Sequence, residues 1–200
     1  MRILQIGSTA ALLLAASAAA NATVYGARGI YLTVDDFVNG RLTAESDCKD
    51  PGHKIELHDV LRKSYIEVTH DGETRRYEKR ALYGFRSCGG AEFRFVGRDE
   101  YQILEAKGLT IYAFDVPART NEHLAVDHPK VRQYFFSVGA GGPVLPLTRD
   151  ELKRALPNNH AFHDSLDQTF ATDKDLAQYD SFHHMFKVNR LLIASAPTNR

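Results

Sequence analysis

Past its N-terminal segment the chain has no long apolar run, no surplus of either charge, two cysteines only, and none of the short signatures that mark common catalytic centres. Each absence excludes something. A helix that crosses a bilayer needs roughly 20 apolar residues, and no stretch after residue 22 approaches that length, so the mature chain is expected to carry no transmembrane segment. The 25 basic residues are balanced by 25 acidic ones, whereas nucleic-acid binding leaves a basic footprint, so nucleic acid is not an expected partner. The Gly-rich stretch Ser137 to Pro146 lacks the Lys-Ser/Thr ending of a phosphate-binding loop, and Pro143 blocks direct entry into a helix. It reads as the linker from sheet to helices. H-E-x-x-H, a nucleophile elbow and a paired acid/base signature are all missing, and no internal repeat is present.

What is present begins with an address. Residues 1–22 combine Arg2, an apolar centre from Ala10 to Ala16 and Ala20-Asn21-Ala22, the pattern of a secretory signal peptide with an A-x-A cleavage site. No Cys follows that site, so no lipoprotein anchor is expected. Residues 23–200 then form a single domain of about 180 residues, large enough to bury a core without a structural metal. Its place is the periplasm or the extracellular space, where Cys48 and Cys88 are expected to pair. Closing that loop of about 40 residues stabilises by roughly 4 kcal/mol in the chain-entropy model. The alternative, Cys88 as a catalytic thiol in Ser87-Cys88-Gly89-Gly90, lacks a His partner marked by any local signature.

Thr23 to Thr43 reads as an extended entry, one helical turn begun near Thr33, and a stop at Asn39-Gly40. Asp35-Asp36 suits the N-terminus of that turn, where the peptide dipoles favour acidic charge. From residue 53 to residue 138 the pattern has period two. Tyr65 to Thr69 and Thr74 to Glu78 flank Asp71-Gly72 as a hairpin, and further alternating runs flank Cys88-Gly89-Gly90 and Lys107-Gly108. The expected fold is therefore α+β: an antiparallel β-meander of about seven strands, either a curved open sheet or barrel-like, followed by two or three C-terminal helices over residues 148–195. Val116 to Lys130 reads as a surface loop carrying His123 and His128.

Thr148 and Glu151 form a capping-box pattern for a helix that ends before Pro157. Asn158 or Asn159 caps a second helix with the apolar stripe Phe162, Leu166, Phe170. Thr172 with Asp175 starts a third, expected to run to about Ser195 with Leu176, Tyr179, Phe182, Phe186 and Ile193 on its apolar face. On that helix His183 and Arg190 fall beside Tyr179 and point inward, which makes His183, Arg190 and Tyr179 the binding candidates, and His184 sits beside Asp180. On the second helix His160, His163, Asp164 and Asp167 share the face opposite Phe162, a divalent-metal candidate set weaker than H-E-x-x-H. No other cofactor is expected.

Three blocks, GIYLTVDDFVNGRLT, ALYGFRSCGGAEFRF and LTRDELKRALPNNHAFHDSLDQTF with YDSFHHMFKVNR, carry a resemblance that spans most of the mature chain. On them it resembles a family of uncharacterised exported proteins of Bacteroidetes-type bacteria that end in a YDSFHxM(F/Y)KVN(R/H) motif. The resemblance implies export and an antiparallel sheet followed by helices, and no activity. The expected function is a non-catalytic binding or envelope-associated module for a protein, a polymer or a small apolar ligand. The alternative is a metal-dependent or His-based hydrolase using the C-terminal His and Asp residues, so enzymatic activity is left open.

Overall fold

The computed structural model describes residues 27–57, 63–117 and 130–196. The leader read in residues 1–22 and the loop histidines His123 and His128 lie outside the described residues. In chain order, β1 (Ala27–Tyr31) leads through α1 (Val34–Val38) to β2 (Thr43–Asp47), and β3 (Lys54–Glu56), β4 (Tyr65–His70) and β5 (Glu73–Glu78) follow. After a 3-10 turn at Lys79–Ala81 come β6 (Gly84–Arg86), β7 (Glu92–Val96), β8 (Asp99–Lys107), β9 (Leu109–Pro117), β10 (Lys130–Val138) and β11 (Leu145–Pro146). The C-terminal part holds α2 (Arg149–Ala155), α3 (His160–Thr169), a 3-10 helix (Asp173–Ala177), β12 (Tyr179–Asp180), β13 (Met185–Phe186) and α4 (Lys187–Ala194).

The protein is α+β, and the period-two region divides into two sheets rather than one. Eight strands form an open antiparallel sheet in the order β11-β10-β9-β8-β7-β6-β1-β2, and its end strands do not meet, so the barrel alternative falls. β3, β4 and β5 form a separate sheet stacked on the first. Alternation looks the same whether a strand joins a sheet or lies across its face, which is why the sequence pattern merged them. The Asp71-Gly72 turn joins β4 to β5 as expected, both residues having positive φ (51° and 77°), which matches the twist of a two-residue hairpin. At Gly84 a Cβ would lie 1.8 Å from the Phe93 carbonyl oxygen, so glycine is what lets β6 approach β7.

Directly opposed residues of antiparallel strands share a face. Ile30 opposes Phe85, Phe85 opposes Phe93, Phe93 opposes Gln102, Gln102 opposes Ala113 and Ala113 opposes Tyr134, giving one continuous row. This face carries two covers. The small sheet lies over its β1-β6-β7 side, where Ile66 and Val68 bury against Ile30, Phe85 and Phe95. The helices lie over its β8-β9-β10 side, where Phe162, Leu166 and Phe170 pack with Leu109, Ile111 and Phe136. Burying each of these large side chains stabilises by about 2 kcal/mol relative to exposure. On the opposite face, Phe37 of α1 stacks on Tyr83 with centroids 4.8 Å apart and meets Tyr31 edge-on. Arg94 Nη1 reaches the Tyr112 hydroxyl and the carbonyls of Ala140 and Gly142, each at 2.9 Å, holding the Gly-rich linker down.

The first two C-terminal helices start where their caps say. Thr148 Oγ1 accepts the Glu151 N–H at 3.2 Å and Asn159 Oδ1 accepts the Phe162 N–H at 3.1 Å. The long third helix does not form. The Thr172–Asp175 capping box is present but starts only the 3-10 helix, and the chain then makes the β12–β13 hairpin before α4. Two captures, one local and one distant in sequence, decide this. Asp180 Oδ1 accepts the N–H groups of Phe182 and His183, both at 3.1 Å, offering the backbone an alternative to the helix, and His184 turns through φ 51°. The Phe186 N–H is then taken by the buried Glu105 Oε2 at 2.9 Å.

Candidate functional site

Between its two covers the shared face of the main sheet is left open as a trough with a volume of about 370 Å³. Phe93, Gln102 and Ala113, neighbours in the cross-strand row, lie along it, and Lys79, Arg98, Glu100, Asp115 and Arg132 bring the charges. Crossing from β7 to β10 at about 4.8 Å per strand step, the trough is roughly 14 Å long.

Its charges are organised in pairs. The ammonium of Lys79 is buried (1% exposed), donates to Glu100 Oε1 at 2.7 Å and lies 5.6 Å from the Phe95 ring centroid. A side chain so buried is costly to leave without a polar partner, and the Glu100 contact supplies one. At the other end Arg132 grips Asp115 through Nε at 2.9 Å and Nη2 at 3.2 Å. The Arg132 hydrogen bonds, then its charge and that of Lys130, hold the Asp115 carboxyl below the usual carboxylate range. Asp115 is thus kept as an anion that accepts hydrogen bonds, and is poorly placed to act as a general acid. Lys130 and Arg98 are exposed at the rim.

The residues singled out in the sequence lie elsewhere and not in one site. Tyr179, His183 and Arg190 were expected to face inward; Tyr179 is 54% exposed, His183 is exposed and Phe182 is 85% exposed, because the hairpin replaced the helix that would have turned them to the core. His183 and Arg190 do meet, at Asp180: His183 Nδ1 is 2.8 Å and Arg190 Nε 3.3 Å from Asp180 Oδ2. His183, not His184, is therefore the ring beside Asp180. The Arg190 contact is an ion pair without hydrogen-bond alignment. The hydrogen bonds from the His183 backbone and ring hold the Asp180 carboxyl below its usual range.

The set on α3 divides its loyalties. His163 Nε2 donates to the Leu156 carbonyl at 2.9 Å, Asp167 accepts from Lys153 Nζ at 2.7 and 2.8 Å, and Asp164 is exposed. His160 touches His163 only edge-on, with ring centroids 5.8 Å apart. Among the described residues no three His, Cys, Asp or Glu side chains gather as metal ligands would, these four included.

Cys48 and Cys88 form the expected disulfide, with Cα atoms 5.4 Å apart, joining the turn after β2 to the turn after β6. Sequence reading passed over what surrounds it. Arg28 donates to the carbonyls of Asp50 and His53, and His53, 2% exposed, meets His70 with the two Nδ1 atoms 2.9 Å apart. Burial first, then the charges of Arg28 and His70, push the His53 pKa below its ordinary value. The trough does not show in the sequence either: Asp115 and Arg132 look like ordinary outward strand residues, and Lys79 like a turn residue, until the fold brings them together. The one available signal was the opposite charges on neighbouring strands of the β9–β10 hairpin.

No helix among the described residues is long and apolar enough to cross a membrane, and the disulfide is compatible with an oxidising compartment. Compared with protein-family models, with curated proteins and with solved structures, the chain matches none.

Proposed function

We propose that the protein is an exported, non-catalytic binding module of the cell envelope, and that the trough between the two covers is where it holds its ligand. The observation that carries this reading is the trough itself: an open concavity on an otherwise covered face, with its carboxylate Asp115 held ionised by Arg132 and its buried cation Lys79 already neutralised by Glu100. Such a lining offers fixed donors and acceptors rather than a group poised to exchange a proton. The signal-peptide pattern, the disulfide and the resemblance to exported proteins support placing it outside the cytoplasm.

Co-sedimentation with purified murein sacculi and with membrane vesicles tests this. Wild-type protein is expected in the pellet with one of them, and Arg98→Glu combined with Gln102→Trp, which reverses a rim charge and fills the trough, is expected to lower the bound fraction about tenfold, equivalent to about 1.4 kcal/mol. The hydrolase reading replaces this one if chromogenic ester, phosphoester or glycoside substrates are turned over and His183→Ala or His160→Ala abolishes the rate.

A further inference from the structure

The trough ends at β10, and β10 is only partly covered on its outer side. β11 pairs with Phe135 and Phe136 alone, and one further bond runs from the Leu147 N–H to the Tyr134 carbonyl at 3.0 Å. That bond fixes the orientation of the strand. Backbone groups of successive strand residues point to opposite sides, so with Tyr134 facing outward, Arg132 and Lys130 also send their N–H and C=O away from β9. The register of β9 and β10 runs unbroken from Lys130↔Pro117 to Val138↔Leu109, so no bulge upsets this alternation. From Lys130 to Arg132 the outward groups pair with no strand among the described residues.

The same residues carry a pattern of side chains. Arg132 and Lys130 share the trough face with Tyr134, and both line the trough. Val131, 49% exposed, and Gln133 lie on the other face. A strand laid along this edge would present alternate side chains to Lys130, to Arg132 with its Asp115 partner, and to an exposed valine.

We propose that the edge of β10 from Lys130 to Arg132, unpaired among the described residues, takes up an extended peptide strand of a partner protein, one in which acidic side chains face the trough and apolar ones face Val131. This deepens the binding reading and rests on the trough being the ligand site. Main-chain hydrogen bonds supply affinity in such strand addition, and the alternate side chains supply selection. A second copy of the chain is the poorer occupant. Edge-to-edge pairing of two β10 strands would set Lys130 and Arg132 against the same cations, and like charges directly opposed are destabilising. Edge lysines commonly blunt a sheet edge in this way, and an acidic guest turns that protection into attraction.

The test uses the full mature chain and a fluorescein-labelled, end-capped peptide of about seven residues alternating Glu and Val, read by fluorescence anisotropy. Saturable binding is expected. Lys130→Glu with Arg132→Glu should weaken it at least about tenfold, with an unchanged far-UV spectrum and melting midpoint as the control for folding. A peptide methylated on the backbone nitrogens of alternate residues should lose binding in one of its two phases, and this does not depend on any protein variant. The proposal is overturned by the absence of saturable binding, by a peptide of the same composition in block order binding equally well, or by both methylated phases binding as the parent does. It is also overturned if the peptide promotes or disrupts dimers without raising anisotropy, which would assign the edge to a second copy. If the peptide fails while envelope co-sedimentation still depends on Arg98 and Gln102, the trough reading stands and the strand falls. If both fail, the trough falls with it.

Discussion

The two covers on the shared face of the main sheet are fastened by opposite means. The helical cover is tied by a buried polar network in which each partner satisfies the next. Asn189 is fully buried; its Oδ1 accepts the Leu109 N–H at 2.9 Å, and its Nδ2 donates to the Leu109 carbonyl at 3.0 Å and to Glu105 Oε1 at 2.5 Å. Glu105 completes the set through the Phe186 N–H. The small-sheet cover is held by a histidine pair, His53 with His70, that leaves His53 Nε2 without a partner among the described residues, and the Cys48–Cys88 bond beside it joins the ends of β2 and β6 in the main sheet beneath. Among the described residues the helical cover rests on the larger cluster, eleven buried apolar residues against six. A thin β-cover has less apolar area to bury, and the strands it rests on are the ones the disulfide joins.

The largest effect should follow from removing the staple. Cys48→Ser with Cys88→Ser is expected to cost about 4 kcal/mol, from the loop-closure entropy of about 40 residues. Hydrogen exchange should show β1 and β2, with the small sheet lying over them, losing protection while α3 keeps it; uniform loss across both covers would break the contrast. Next, Asn189→Ala strands the Glu105 carboxylate and two Leu109 backbone groups and is expected to cost about 3 kcal/mol in chemical denaturation. Here α4 and the β12–β13 hairpin should open first, and a cost under about 1 kcal/mol would mean the network is not what holds the helices.

A smaller effect, of defined sign, belongs to pH. Because the His53 pKa lies below its ordinary value of 6.5, the folded chain binds that proton less readily than the unfolded one. Its contribution is full above the unfolded value and is lost as pH falls below it. Arg28 from β1 and His70 from β4 face His53 as cations that oppose protonation, and Asp50 and Asp71 as anions that favour it. Melting midpoints should decline as pH falls below about 6.5, and His53→Gln should flatten that slope. A slope unchanged in the variant would move the origin elsewhere. The smallest effect is at the trough: Arg132→Ala, which removes an exposed ion pair, should change stability by less than about 0.5 kcal/mol.

Much of the fold was legible because it is set locally. The Asp71-Gly72 turn, the Thr148 and Asn159 caps, the Phe162-Leu166-Phe170 stripe and the cysteine pair each show in a few consecutive residues or in compartment logic. What escaped depends on residues far apart in the chain. Period two assigns a residue to a face but says nothing of which strand lies beside it, so the order β6-β1-β2 and the meeting of Lys79 with Glu100 could not be read. The third helix failed for the same kind of reason. Its helical spacing was sound arithmetic on a segment whose Phe186 N–H is claimed by Glu105, 81 residues away. The inward histidine site vanished with that helix, and the trough is built from residues that look individually unremarkable.

The disulfide also bears on time. β1 pairs with β6 at Gly29↔Arg86, a contact far apart in sequence, and a sheet that needs such a pairing folds slowly because chain entropy is lost before the contact forms. The Cys48–Cys88 bond ties the far end of the β1–β2 hairpin to the β6–β7 hairpin, so in the oxidised chain the search for that pairing is already confined. Two hairpins that each form from neighbouring residues are delivered to one another by the bond. The main sheet is therefore expected to close around its first strand faster in the oxidised chain than in the reduced one.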